Sequence, residues 1–141
     1  MIEISKTIKN ELQRDNKRFY ACDNISEYLD DERRGLLITE LTEKFTGVLE
    51  SLLIDIENDP NSRETGKRLA KMYVNELMEG RYFPQPNSTA FPNDGQNPYD
   101  GMLVVRAEIK SMCSHHHQIV DGVAYIGIIP QKTVIGLSKY I

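Results

Sequence analysis

Residues 81–101, RYFPQPNSTAFPNDGQNPYDG, carry four of the chain's six prolines, and this stretch divides the sequence into two parts that fold by different rules. A proline ring fixes φ and removes a backbone donor, so a helix or a central strand across this composition is disfavoured. We read it as one long connecting loop without a regular element. Before it, apolar residues recur at intervals of three or four. After it they alternate or run together in short β-branched stretches.

The upstream part reads as three helices. The first covers roughly residues 3–20. The second starts near Asp30 and places Leu37, Leu41, Phe45, Val48, Leu52 and Ile56 on one stripe, a pattern that serves core or partner-helix packing. It stops in ENDPNS, where Pro60 and two asparagines interrupt it. The third runs from about Glu64 to Glu79, with Leu69, Met72, Tyr73 and Leu77 on one face, and Gly80 is positioned to end it in a left-handed conformation. Downstream, GMLVVRAEIKSM and GVAYIGII read as two strands joined through a histidine cluster, with a turn at Asp121-Gly122. The expected class is α+β, N-terminal helices followed by an antiparallel β-hairpin. We divide it into a helical segment, 1–60, and a second region, 61–141.

At 141 residues the chain has the size of one domain. No apolar run approaches the roughly 20 residues that cross a bilayer, and the mixed-charge N-terminus lacks the apolar core of a signal peptide. A cytoplasmic protein without a membrane partner is expected. Net charge is −4, made of 13 Lys+Arg against 19 Asp+Glu in residues 1–100 and 4 against 2 in residues 101–141. That balance argues against nucleic acid as a partner, since a phosphate backbone needs a broad basic surface. A single anionic small molecule needs only a few placed cations, for which the C-terminal part is the better candidate.

All three histidines and one of the two cysteines fall within SMCSHHHQIVDG, residues 111–122. Cys113 and His116 are three apart. In a strand they would point to opposite faces, but in a turn they can converge as a zinc half-site. Thiolate sulfur with imidazole nitrogen favours zinc over magnesium or calcium. His115, between them, would sit beside the ion as a proton donor or acceptor. A solvated polar turn and a metal-free acid–base site remain open as readings of the same residues. Cys22, the other cysteine, reads as a half-buried apolar residue rather than a disulfide partner for Cys113.

The longer pattern is more specific. Cys113-Ser114-His115-His116, then Asp121-Gly122, Ala124-Tyr125-Ile126, Pro130 and VIGLSK at 134–139 resemble the signature of the GTP cyclohydrolase I family. Upstream, ETGKRLAKMYVNELMEG at 64–80 is similar to the family's E-T-P-x-R helix. The resemblance covers about residues 50–141. It implies a tunnelling fold assembled into a homo-oligomer, and a zinc enzyme that adds water at C8 of GTP, releases formate and forms 7,8-dihydroneopterin triphosphate. It further implies Cys113 and His116 as Zn2+ ligands, His115 as the catalytic histidine, and Ser138, Lys139 and Arg68 at the GTP site, the two cations facing the triphosphate.

Three residues depart from the family pattern. Ser114 stands for a glutamate, Gly66 for a proline at a helix start, and His117 for an apolar residue, with a surface or supporting role expected for it. The resemblance also places a third zinc ligand, a phosphate-binding arginine and a guanine-recognising acid beyond G-L-S-K, and this chain ends at Ile141. The expectation is therefore a fold incomplete relative to the family, active alone or with a complementing C-terminal chain. The alternative is a non-catalytic truncated homologue that acts as an assembly or regulatory partner of a cyclohydrolase.

Overall fold

The computed structural model describes residues 3–136. They gather into two compact units, one running to Pro84 and one starting at Gln85.

The first unit is helical. Helix α1 spans Ile4–Arg14 and buries Ile8 and Leu12. It is shorter than the sequence suggests, because Asn16 takes a left-handed φ of 50°. The amides of Lys17 and Asn16 then return to the carbonyls of Leu12 and Gln13, closing the helix in a Schellman motif. Helix α2, Asp31–Ser51, begins where Asp30 accepts from the Arg33 amide at 2.8 Å. Its apolar stripe is buried only in its first half. Leu37 belongs to the core and Leu41 packs against it. Phe45 meets Tyr73 with ring centroids 5.1 Å apart, whereas Val48 and Leu52 are exposed.

Helix α3, Thr65–Met72, is followed by a π-helical turn at Tyr73–Leu77 and by a last helical turn, α4, at Glu79–Tyr82. The residues it buries fully are Gly66, Ala70 and Val74 rather than the larger side chains of the expected face, which are half-buried. Small residues at this spacing let the backbone of α3 approach α2: a Cβ on Gly66 would stand 3.0 Å from the Thr42 carbonyl oxygen. Gly80 does not end the helix, and no described glycine has positive φ. The turn continues to Tyr82 and stops at Phe83, which is extended because Pro84 follows it. The core of this unit is Ile8, Leu12, Ile25, Leu29, Leu37 and Val74.

The second unit contains two antiparallel strand pairs. Strands β2 (Leu103–Met112) and β3 (Ile119–Ile128) form the expected hairpin, paired from Leu103 with Ile128 to Met112 with Ile119. Asp121 and Gly122 lie inside β3, opposite Lys110 and Ile109, so the turn is not there but at 113–118. The proline-rich stretch is also not wholly irregular. Within it Ala90–Pro92 forms β1, which pairs with β4, Thr133–Ile135. Pro92 is tolerated because the strand is an edge and its carbonyl, not its missing amide, is available. Asn93 secures the neighbouring loop, its side-chain amide donating to the carbonyls of Tyr99 and Gln131 at 2.9 Å each. The described residues are thus α+β, with helices first and antiparallel strands after.

Candidate functional site

The cluster from Cys113 to Gln118 is the hairpin turn itself. The Cys113 amide donates to the Gln118 carbonyl at 2.9 Å, one rung past the Met112–Ile119 pair. The His117 amide donates to the Cys113 carbonyl at 2.8 Å, which winds the intervening residues into one α-like turn. His117 closes it with φ 53°, a left-handed conformation that histidine adopts more readily than most residues. Its side chain is exposed, as expected.

This winding changes what the spacing can do. Residues three apart lie on one side of a helical turn, so Cys113 and His116 are freed from the strand alternation that would separate them. Cys113 is half-buried and its thiol is free. The backbone amide of His116, and then that of His115, point to its sulfur and hold the thiol below the usual cysteine range, while burial opposes them weakly. Those amides favour the thiolate, the form that binds metal. The rings of His115 and His116 are 6.4 Å apart between centroids, tilted by 35°, and both residues are exposed. Among the described residues no three His, Cys, Asp or Glu side chains come together to hold a metal ion. A polarised thiol and imidazole on one turn are donors of the kind that suit zinc.

Three further residues are expected at the site. Arg68 lies in α3, exposed, where its guanidinium donates to the Asn61 carbonyl at 3.1 Å. Ser138 and Lys139 lie outside the described residues. Cys22 is exposed rather than half-buried. What the sequence reading missed is the pair of amides on Cys113 Sγ. It becomes legible once C-S-H-H is placed in a turn, where a short polar side chain at the first position accepts from the amides that follow.

Comparison with known proteins agrees with these motifs. The profile of the GTP cyclohydrolase I family matches residues 41–141. The chain is 39% identical over 117 residues to GTP cyclohydrolase 1 of Erwinia tasmaniensis, covering 82% of this chain and 50% of that protein. It is 40% identical over 115 residues to GTP cyclohydrolase 1 of Sodalis glossinidius, covering 80% and 49%. With GTP cyclohydrolase 1 of Aeromonas hydrophila the identity is 40% over 94 residues, covering 65% and 42%. The chain thus spans about half the length of the curated relatives it matches.

Proposed function

This chain belongs to the GTP cyclohydrolase I family, and from that premise we propose that it acts as a zinc-dependent hydrolase on GTP. The reaction consumes water and yields formate and 7,8-dihydroneopterin triphosphate, on a tunnelling-fold scaffold built as a homo-oligomer in the cytoplasm. A further polypeptide segment completes the site, in keeping with the half-length overlap with the relatives. The observation that carries this reading is one turn holding a thiol biased toward thiolate and two imidazoles, inside the stretch that the family profile covers.

Cys113 and His116 hold the ion. Zinc, when bound, supplies Lewis-acid chemistry that makes a water nucleophilic near neutral pH. A catalytic zinc takes three protein ligands and keeps one position open, so the third donor comes from the completing segment. His115 exchanges protons with the water that attacks C8 and with the ring nitrogen released as the imidazole of guanine opens. Arg68 and Lys139 offer fixed positive charge to the triphosphate, and Ser138 a hydroxyl beside it.

The test measures zinc by mass spectrometry, and formate and pterin fluorescence from GTP, for the chain alone and mixed with a C-terminal half of a relative. Cys113→Ser and His116→Ala should each lose the ion. His115→Ala should keep it and lower turnover by about 10²–10⁴-fold. Zinc-free protein without turnover in either mixture would reject the reading.

A second reading, a non-catalytic assembly or regulatory partner of a cyclohydrolase, is favoured by the hairpin's surface. Val104, Ile119 and Tyr125 are exposed there by 61%, 58% and 73%. On that reading the chain joins a cyclohydrolase without turnover, and Cys113→Ser leaves the assembly unchanged.

A further inference from the structure

The helical unit has a partly open pocket of about 160 Å³ whose floor is its own core. Its walls are the buried side chains Ile8, Leu12, Ile25, Leu29 and Leu37, contributed by α1, α2 and the segment between them. Apolar side chains left facing solvent in such a pocket gain by covering with an apolar group, and its volume suits a compact ring or branched chain.

The polar part of the lining is one-sided. Its charged groups are Lys9 and Arg81, beside the hydroxyls of Ser5 and Tyr82; among the described residues no Asp or Glu lines it, although Glu40 accepts from the Ser5 hydroxyl. Residues 1–84 hold 17 Asp+Glu against 13 Lys+Arg, so a lining with two cations and no acid runs against the composition around it. Arg81 donates to the carbonyls of Phe19, Tyr20 and Asp23. That uses three of the five donors a guanidinium has. Lys9 is exposed and forms no ion pair among the described residues. Arg81 likewise forms no ion pair among the described residues, and it keeps two donors outside those three hydrogen bonds.

We propose that this pocket is a binding site for a small monocarboxylate with a compact apolar body, the body among the core side chains and the carboxylate at Lys9 and Arg81. The proposal does not depend on the reaction assigned above, which rests on residues of the other unit and on Arg68.

Benzoate and benzamide test it, since they share a shape and differ in charge. Ligand-observed NMR titration of the full chain should show saturable benzoate binding with a dissociation constant of about 1 mM or tighter. Benzamide should bind about tenfold more weakly. Lys9→Gln, an exposed substitution, should weaken benzoate about tenfold and leave benzamide unchanged. Ile25→Phe, which fills the space, should abolish both while the circular dichroism spectrum is retained. If that variant does not fold, the Lys9→Gln comparison and displacement of benzoate by cyclohexanecarboxylate decide. The proposal is overturned by no saturable benzoate binding up to about 10 mM. Equal affinity for benzamide, indifference to Lys9→Gln, or full benzoate affinity in folded Ile25→Phe would each overturn it as well.

Discussion

Leu53 is 93% exposed with φ 61°, at the end of α2 where glycine is the usual occupant. The amides of Leu53 and Ile54 return to the carbonyls of Glu50 and Leu49, so the left-handed residue is fixed by the helix stop and not by side-chain contacts. A left-handed leucine is strained by about 1–2 kcal/mol, part of which glycine returns as unfolded-state entropy. Leu53→Gly should therefore raise stability by about 0.5–1 kcal/mol, read as a higher urea midpoint with an unchanged slope. Glu40 is the opposite case, a buried carboxylate whose removal is felt. Desolvation alone would raise its pKa, but hydrogen bonds from Lys44 and from the hydroxyl and amide of Ser5 together outweigh it and hold the group below its ordinary 4.5. A depressed carboxylate stabilises the fold above the unfolded pKa, and that contribution is lost as pH falls through the lower folded value. The melting temperature should accordingly drop on acidification below about pH 4.5 more steeply in the native chain than in Glu40→Gln. The sequence shows the Lys44 pairing, four residues on, but not Ser5, which is 35 positions away.

At the scale of elements, α2 and α3 meet at Gly66. A Cβ there would come within 2.3 Å of Thr46 Oγ1, 3.0 Å of the Thr42 carbonyl oxygen and 3.1 Å of the Thr46 amide nitrogen. The hydroxyl can rotate away, but the two backbone atoms cannot move without shifting a helix. Gly66→Ala should therefore destabilise by about 1–3 kcal/mol despite alanine's better helix propensity, measurable by chemical denaturation. The sequence shows Gly66 only as a glycine where the family pattern has a proline at a helix start. Its role in contact is tertiary, and periodicity does not contain it. What the pattern did contain came through: α2 begins beside Asp30, and the ten-residue strands of the hairpin lie where β-branched residues concentrate. The turn was misplaced because Asp-Gly is a strong local signal. It was overruled by a register in which Lys110 faces Asp121 and every residue of β2 finds a partner. The strand at Ala90–Pro92 was hidden for a related reason, since its partners stand 41–45 positions later in the chain.

At the scale of the molecule, the hairpin carries more apolar surface than a lone two-stranded ribbon can keep in water. Val104, Met112, Ile119, Val123 and Tyr125 share one face by strand alternation, interleaved with Arg106, Glu108, Lys110 and Asp121, and all but Met112 are among the exposed large apolar residues. If the homo-oligomer proposed above uses this face, sedimentation should show species larger than 16.2 kDa, and Val104→Lys with Val123→Lys should return the protein to that mass. The two strand pairs of this unit are also nested: β1 and β4 close around β2 and β3. The clasp lies at the chain ends of the hairpin, and the turn with Cys113, His115 and His116 lies ten residues further along each strand, about 33 Å of extended backbone. Within this unit the hairpin therefore carries Cys113, His115 and His116 far from the strand pair at its base. A small angular play at that base becomes a large displacement at the thiol, and whatever surface braces the outer half of the ribbon sets the aim of the imidazoles as firmly as the turn that carries them.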